Sequence, residues 1–260
     1  MELSPENLLQ NLNTRFVGRH IIYYHSLPST MEVARRAGGR GAAEGTVVIA
    51  EEQTAGRGRR HRSWLSPPGG IALSLILRPA VQHLPQMIML ASLAVTSAIE
   101  VVTSLKAGIK WPNDVLIRGK KVCGILIENQ LRGGVLEFTV VGIGINVNMD
   151  LSAYPEIADI ATSLSAELGR QVSRSELVQT LLVEVEQLYL DIRAGQSLHQ
   201  RWRERLVILG QEVQVMEGGK VEQGIAEDVD TDGSLLLRCP DGSLTRIVFG
   251  DVTLRSLPQR

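Results

Sequence analysis

The most distinctive chemical feature of the sequence is the heptapeptide Gly56-Arg57-Gly58-Arg59-Arg60-His61-Arg62, which holds four arginines. Glycines let backbone N–H groups approach a ligand closely, and guanidinium groups are forked donors suited to phosphate or carboxylate. Because like charges repel one another when no anion is present, we expect a mobile loop that becomes ordered around a polyanion. The composition of the heptapeptide leaves open two alternatives, a solvated basic loop and an RNA-tethering segment.

Two further stretches combine polar side chains with predicted strands. Lys110-Trp111-Pro112-Asn113-Asp114 offers a lysine, an amide and a carboxylate, which could bind phosphate, a nucleobase or sugar, and either Mg²⁺ or an incoming amine. Asn and Asp beside a proline also simply turn the backbone. Lys121 begins a strand that is otherwise apolar, so this lysine is either functional or solvent-facing. Gly124 within that strand indicates that another group approaches the backbone closely.

A third glycine-containing stretch, Gly142-Ile143-Gly144-Ile145-Asn146-Val147-Asn148, is not a dinucleotide fingerprint. The pattern G-x-G-x-x-G would require glycine where Val147 stands, and the stretch lies in a predicted strand instead of opening a helix. The histidines show no ligand spacing, so we expect no structural zinc site.

The predicted elements place these stretches at or between strands. The predicted strands are 46–50, 71–77, 115–117, 122–127 and 135–145. The predicted helices are 31–37 (capped by Ser29-Thr30 and ended by Gly38-Gly39), 85–105, 173–193 with a capping box, and 198–207. Consecutive hairpins among the strands predict an α+β fold, with a mixed, largely antiparallel sheet flanked by helices. The arginine-rich loop then lies in a connection of about eighteen residues, a length typical of functional lids.

The C-terminal part of the chain has a different pattern. Short strands are predicted at 213–215, 224–226, 234–237 and 244–248, with turns at Gly218-Gly219, Asp232-Gly233 and Asp241-Gly242. This spacing predicts a small SH3-like β-barrel. We therefore expect two domains, a catalytic domain over 1–208 and the barrel over 209–260.

Composition excludes several classes of protein. The 260 residues carry 27 basic and 28 acidic side chains, for a formal net charge of −1, which argues against a uniformly basic nucleic-acid surface or a polybasic membrane anchor. The apolar stretch 84–105 is interrupted by polar residues, so we expect a core helix and no membrane span. Cys123 and Cys239 have no CxxC spacing, and the N-terminus has no secretory signal pattern; both observations fit a cytoplasmic protein.

Taken in order, five stretches of the sequence resemble the biotin–protein ligases. They are Ser29-Thr30, 53–64, 110–114, 121–128 and 142–148. The resemblance covers most of the first 150 residues, and the C-terminal barrel fits the family as well. It implies an enzyme that converts biotin and ATP, with Mg²⁺, into biotinyl-5′-AMP and pyrophosphate. The biotinyl group then passes to one lysine of a biotin carboxyl carrier protein domain, as in acetyl-CoA carboxylase.

The resemblance also implies roles for individual residues. The implied catalytic residues are Lys121, Arg59, Asp114 and Lys110. The implied biotin-binding residues are Ser29, Thr30, Met31, Gln53, Gly56, Arg57, Gly58, Arg59, Lys121 and Gly124. The implied ATP and adenylate contacts are Arg57, Arg59, Arg62, Trp64, Asn113, Lys121 and Asn146. Asp114 is the candidate Mg²⁺ ligand, or else it orients the incoming lysine.

Two residues depart from the family pattern. Met31 stands where the family often has Asn, and His61 stands where many members have Gly, which we expect to stiffen the loop. Residues 1–17 are too short for an N-terminal helix-turn-helix domain, so we expect no DNA binding. The expected partner is a carrier protein, with no membrane; a homodimer is an open option.

Two other functions compete with biotin ligation. One is a related lipoate ligase or octanoyltransferase, against which the arginine-rich loop argues. The other is an RNA- or single-strand-binding module, which the small number of aromatic residues disfavours.

Overall fold

The main sheet of the protein has seven strands. A computed structural model describes residues 2–217 and 220–254 and gives the strand order β1-β2-β3-β7-β6-β5-β4. The strands are β1 (Ile21–Leu27), β2 (Val47–Gln53), β3 (Ile71–Leu77), β4 (Gly108–Lys110), β5 (Asp114–Ile117), β6 (Lys120–Arg132) and β7 (Val135–Ile145). Only β1 and β2 pair in parallel, and the other neighbouring pairs are antiparallel. The predicted mixed, largely antiparallel sheet is confirmed.

Helices cover both faces of this sheet. They are α1 (Pro5–Gln10), α2 (Thr30–Gly39), α3 (Gln86–Thr103), α4 (Pro155–Ala158), α5 (Leu164–Leu168), α6 (Arg174–Arg193) and α7 (His199–Arg203). Successive side chains of a strand point to opposite faces. Leu73 and Leu75 of β3 accordingly join the core beneath α3 and α6, whereas Ile76 joins a second cluster beneath α2.

The two longest helices agree with their predictions. α3 is apolar and long enough to cross a membrane, yet 67% of its most apolar stretch is buried inside the protein, as expected of a core helix. α6 begins at the predicted capping box, where the hydroxyl of Ser173 accepts a hydrogen bond from the backbone N–H of Glu176 at 3.3 Å.

Two other helices differ from their predictions for local reasons. α2 continues through Gly38, whose missing side chain makes room for Phe138: a Cβ atom there would lie 2.6 Å from the ring. α7 ends at Arg203 instead of residue 207 because the chain leaves the helix to pair with Ile109 of β4. That pairing uses hydrogen bonds from Ile109 N–H to Arg205 O and from Val207 N–H to Ile109 O.

The C-terminal strands form a separate antiparallel sheet in the order β11-β10-β9-β8-β12. They are β8 (Glu212–Glu217), β9 (Lys220–Val229), β10 (Leu235–Arg238), β11 (Leu244–Ile247) and β12 (Asp251–Leu254). The SH3-like arrangement is confirmed as an antiparallel sheet, although the strand pairs between described residues do not close it into a barrel. The predicted turn at Gly218-Gly219 lies outside the described residues.

The C-terminal sheet packs against the rest of the chain. Val213 and Leu235 share one hydrophobic core with Trp202 of α7. Trp111 donates a hydrogen bond from its indole N–H to the carbonyl of Gly233 at 2.8 Å. The turn between β4 and β5, which carries the 110–114 stretch, is thus attached directly to the C-terminal sheet. The domain boundary at 208/209 stays a prediction.

Candidate active site

A cavity opens where the centre of the main sheet meets the arginine-rich loop. Its lining combines the start of α2, the end of β2, the loop 54–70, the β4–β5 turn, and neighbouring strands β6 and β7. The lining residues foreseen from sequence are Thr30, Met31, Gln53, Arg57, Gly58, Arg59, Trp64, Asn113, Lys121 and Gly124. The fold therefore gathers around one cavity residues that are far apart in sequence.

Glycines form the floor of this cavity. Gly124 of β6 pairs with Gly144 of β7, which leaves a patch of sheet without side chains. The indole of Trp64 lies on that patch, because a Cβ atom would come within 2.9 Å of the indole ring at Gly124 and 2.5 Å at Gly144. Both glycines are thus required by the close approach of a flat group to the backbone.

One end of the cavity is built from uncharged hydrogen-bonding groups. Gln53 Oε1 accepts hydrogen bonds from the backbone N–H of Thr30 at 2.8 Å and from its hydroxyl at 3.1 Å. The hydroxyl of Ser74 lies 2.8 Å from Thr30 Oγ1. Ser29 is buried beside this group, and its hydroxyl has no hydrogen-bond partner among the described residues. We call Ser29, Thr30, Gln53 and Ser74 the head-group end.

The opposite end of the cavity is charged and carries the arginine-rich loop. The loop folds back on itself through Gly58 N–H to Arg62 O at 2.7 Å and Trp64 N–H to Gly56 O at 2.9 Å. A short 3₁₀ turn spans Arg59–His61, with Arg60 in the left-handed region at φ 53°. The structure shows the loop folded over the cavity, and its mobility in the absence of an anion stays a prediction.

Carboxylates of the protein itself neutralise the loop, which explains why it is folded. Arg57 forms an ion pair with Glu128 at 2.7 Å. The carboxylate of Asp251 in β12 forms an ion pair with the guanidinium of Arg62 at 2.6 Å. Its oxygens also lie 3.5 Å from the guanidinium of Arg60 and 3.8 Å from that of Arg59. One aspartate of the C-terminal sheet therefore stands where three guanidinium groups converge. We call Arg57, Arg59, Arg62, Lys121 and Asp114 the charged end.

Arg59 is the loop arginine that reaches deepest. Its guanidinium donates to Asn113 Oδ1 at 2.9 Å and to the carbonyl of Gly250 at 3.3 Å. Burial lowers the pKa of Arg59 from its ordinary value, while the charge of Asp251 acts in the opposite direction. Both the oxygen and the nitrogen of the Asn113 side chain are bonded, because one amide N–H also donates to Ile125 O at 2.9 Å. Asn113 thus positions Arg59 in this structure.

Lys121 stands between the loop and the β4–β5 turn. Its Nζ atom lies 2.6 Å from Asp114 Oδ1 and 5.4 Å from the centre of the Trp64 ring. Asp114 and Lys110 line a second cavity together with Arg62 and Asp251; Asn113 borders both cavities. A cationic cluster with one paired carboxylate suits an anion such as a phosphate or a carboxylate.

Three predicted residues line neither cavity. Gly56 packs against the backbone of Trp64, and Ser29 is buried behind Thr30. Asn146 is buried as well, and its amide donates to Thr162 O at 3.1 Å. Thr162 N–H in turn donates to the carbonyl of Lys121 at 2.9 Å, so Asn146 supports the strand that carries Lys121.

Sequence reasoning missed several residues that form the site. Gly142 and Gly144 are two residues apart in β7 and therefore lie on the same face of the strand. Once the segment was assigned to a strand, this spacing could have predicted a face without side chains. Ser74, Glu128 and Asp251 gave no local signal, since each acts on the site through residues that are distant in sequence.

A metal site would have to rest on very few protein ligands. Within residues 2–217 and 220–254, no group of three His, Cys, Asp or Glu side chains could hold a metal ion. Asp114 is the carboxylate paired with Lys121, and one carboxylate plus substrate phosphates and waters is a common Mg²⁺ environment.

Comparisons with known proteins point to one family. Residues 23–146 match the model of the biotin/lipoate A/B protein ligase family, and residues 208–255 match the biotin protein ligase C-terminal domain. The bifunctional ligase/repressor BirA of Bacillus subtilis is 38% identical over 259 residues, covering 97% of this chain and 79% of that protein. A biotin–[acetyl-CoA-carboxylase] ligase of Mycobacterium tuberculosis is 37% identical over 231 residues, covering 85% of this chain and 83% of that protein.

A solved structure extends the likeness to three dimensions. The biotin protein ligase of Aquifex aeolicus, determined in complex with biotin and ATP, is 30% identical to this chain with a TM-score of 0.78. The match covers 91% of this chain and 99% of that one. Both the main sheet and the C-terminal sheet therefore have counterparts in a structure bound to an acyl ligand and a nucleotide.

Proposed function

Because this chain belongs to the biotin/lipoate A/B protein ligase family, we propose that it activates biotin with ATP and transfers it to a carrier protein. The product of the first step is biotinyl-5′-AMP, with release of pyrophosphate. The acceptor in the second step is a lysine of a biotin carboxyl carrier protein domain. We further propose that the protein is cytoplasmic and that its catalytic and C-terminal domains meet at 208/209.

The observation that carries this proposal is that one cavity has an uncharged hydrogen-bonding end and a charged end. The head-group end offers uncharged hydrogen-bonding atoms in a buried setting, which suits the cyclic urea of biotin. The charged end offers Arg59 and Lys121, which suit a carboxylate and phosphate oxygens. Leu73, Ile125 and Ile143 between them are apolar and suit the fused ring and the alkyl chain of biotin.

The first chemical step follows from that placement. A carboxylate oxygen of biotin attacks the α-phosphorus of ATP, an O–P bond forms, and the bond to pyrophosphate breaks. Lys121 and Arg59 lie where they can hold the two reacting anions together and stabilise the charge that develops between them. Asp114 neutralises Lys121 before the anions arrive, so the lysine is already aimed at this position.

Mg²⁺ fits this site as an ion that arrives with the nucleotide. When bound, it would supply charge neutralisation at the phosphates, with Asp114 as its candidate protein ligand and Lys110 and Arg62 beside it in the second cavity.

The second step requires protection of the mixed anhydride from water. Trp64 and the folded loop cover the cavity, which supports a role in excluding solvent. The carrier lysine attacks the acyl carbon as a neutral amine, an amide bond forms as the C–O bond to the phosphate breaks, and AMP departs while the nitrogen loses one proton to solvent. Asp114, at the β4–β5 turn, is proposed to orient that amine if it is not the Mg²⁺ ligand.

Pyrophosphate release by the full chain tests the proposal. With ATP and Mg²⁺, biotin should support release, and addition of a biotin carboxyl carrier domain should give a stoichiometric mass increase on one lysine. Lipoate and octanoate, run in parallel, should support neither step. Release with lipoate but not biotin would reassign the chain to the lipoate branch of the family, and salt-resistant RNA binding without any adenylation would refute ligase activity.

A further inference from the structure

The head-group end contains a chain of hydrogen bonds whose first member does not line the cavity. Ser74 of β3 is fully buried, and its hydroxyl lies 2.8 Å from Thr30 Oγ1. Thr30 and Gln53 line the cavity, and their bond of 3.1 Å continues the chain. Ser74 therefore stands behind the residues that a ligand can touch.

The direction of this chain is fixed by one backbone group. The N–H of Thr30 can only donate, and it lies 2.8 Å from the side chain of Gln53, so the atom it meets must be the carboxamide oxygen. That oxygen can only accept, so the hydroxyl proton of Thr30 points to Gln53. The hydroxyl oxygen of Thr30 must then accept, and Ser74 is its donor.

This direction decides what the cavity offers to a ligand. A hydroxyl oxygen has two lone pairs, and Ser74 occupies one of them. The remaining lone pair of Thr30 is an acceptor for a ligand N–H, and the Nε2 atom of Gln53 remains a donor for a ligand carbonyl. A cyclic urea presents both an N–H and a carbonyl, whereas a dithiolane ring presents neither.

We propose that Ser74 is a positioning residue for head-group recognition, which fixes the hydroxyl of Thr30 so that its free lone pair faces the ring N–H of the acyl substrate. The inference rests on the proposed function, because it concerns how the same cavity recognises biotin. Ser74 contributes through Thr30 and does not touch the substrate. Its effect therefore falls on binding of the urea ring and leaves the phosphate chemistry alone.

The test separates binding of the acyl substrate from the rest of the reaction. Pyrophosphate release by the full chain is measured with biotin or desthiobiotin varied at saturating ATP, and with ATP varied at saturating biotin. Ser74→Ala should raise the KM for both urea-containing acids by the same factor, about 3- to 10-fold, as expected for one buried hydrogen bond. Both kcat and the KM for ATP should stay within about twofold of wild type.

Two companion variants sharpen the result. Ser74→Cys keeps a weak donor at the same place and should recover part of the loss. Thr96→Val is the matched control, because Thr96 is a fully buried hydroxyl on α3 whose bond at 2.9 Å goes to Leu93 O in its own helix. It should leave the KM for biotin unchanged.

The outcomes divide cleanly. A biotin KM within twofold of wild type in Ser74→Ala overturns the proposal. A fall in kcat and a rise in the KM for ATP as large as the rise in the biotin KM also overturns it, because that result indicates a merely structural role. Should the alanine variant fail to fold, a raised biotin KM in Ser74→Cys supports the proposal and an unchanged one overturns it. Absence of biotin-dependent release by wild type would instead refute the proposed function.

Discussion

The two ends of the cavity satisfy their polar groups in different ways. At the head-group end, Thr30, Gln53 and Ser74 bond to one another within the main sheet and α2, and no formal charge is involved. At the charged end, the arginines are held by Glu128 and by Asp251 of the C-terminal sheet. Under the proposed function, the bonded groups of the first end keep their arrangement when substrate binds, whereas the second end must exchange carboxylates of the protein for anions of the substrate.

This difference predicts how each end responds to solution conditions. Ion pairs between partly exposed groups weaken with ionic strength, and the Arg62 side chain is 68% exposed. Uncharged, buried hydrogen bonds have little such dependence. Defects at the charged end should therefore appear in the nucleotide parameters and vary with salt, while defects at the head-group end should appear in the biotin KM and not vary with salt.

Removal of Lys121 gives the largest expected effect at the charged end. Lys121→Ala deletes a cation placed for the developing charge, and we expect kcat/KM for adenylation to fall about 10²- to 10³-fold. Lys120→Ala is the matched control, because the neighbouring amine is exposed and bonds to the carbonyl of Ala158 at 3.3 Å. Steady-state pyrophosphate release measures kcat/KM for adenylation in both variants. Equal losses in the two variants would contradict the assignment of Lys121 to the site.

Arg59 should give the next largest effect. Arg59→Ala removes the deepest guanidinium of the loop, and loss of charge-assisted contacts predicts a fall of about 10- to 100-fold in kcat/KM for ATP. Arg201→Gln serves as the control, because the Arg201 side chain is exposed, pairs with Asp191 at 3.7 Å and does not line the cavity. A change confined to the biotin KM in Arg59→Ala would break the distinction between the two ends.

Asp251 tests whether the C-terminal sheet holds the loop closed. Asp251→Asn removes the charge shared by three arginines, so without nucleotide the loop should be cleaved faster by trypsin after Arg57 or Arg59. The KM for ATP should rise about 3- to 10-fold, because ordering the loop must then accompany binding. Asp241→Asn, in an exposed turn of the same sheet, is the control. Unaltered cleavage would show that the loop's own backbone bonds suffice to fold it.

Much of the molecule could be read from local patterns, and the rest depends on distant partners. The strands 71–77 and 135–145 and the capping box at Ser173 were predicted closely, because alternation and capping are properties of short stretches. The edge strand β1 was not predicted, since Ile21-Ile22-Tyr23-Tyr24-His25 shows no alternation of apolar and polar residues; the first three are partly buried and the last two are exposed. Tertiary pairing also decided where α7 ends.

The site residues also divide into those predicted from local motifs and those that depend on distant partners. Contiguous motifs supplied the residues that line the cavity, including Gln53, Lys121 and Gly124. Their partners could not be found this way, because the pairs Arg62–Asp251 and Thr30–Ser74 exist only after the chain has folded. The carboxylates that pair with the loop were missed for the same reason, since they lie 71 and about 190 residues further along the chain; the mobility of the loop stays a prediction.

Chemical labelling of the cysteines should give the smallest effect. Cys123 lies on β6 between Lys121 and Gly124, but it is fully buried in the core, and burial raises the pKa of its thiol well above the ordinary value. Only the thiolate reacts with iodoacetamide, so even at about pH 8.5 the native protein should take up label at Cys239 and keep its activity. Peptide mass analysis identifies the adduct. Labelling of Cys123 with loss of adenylation would mean that β6 opens to solvent, and a strand that opens could not hold Lys121 in a prearranged site.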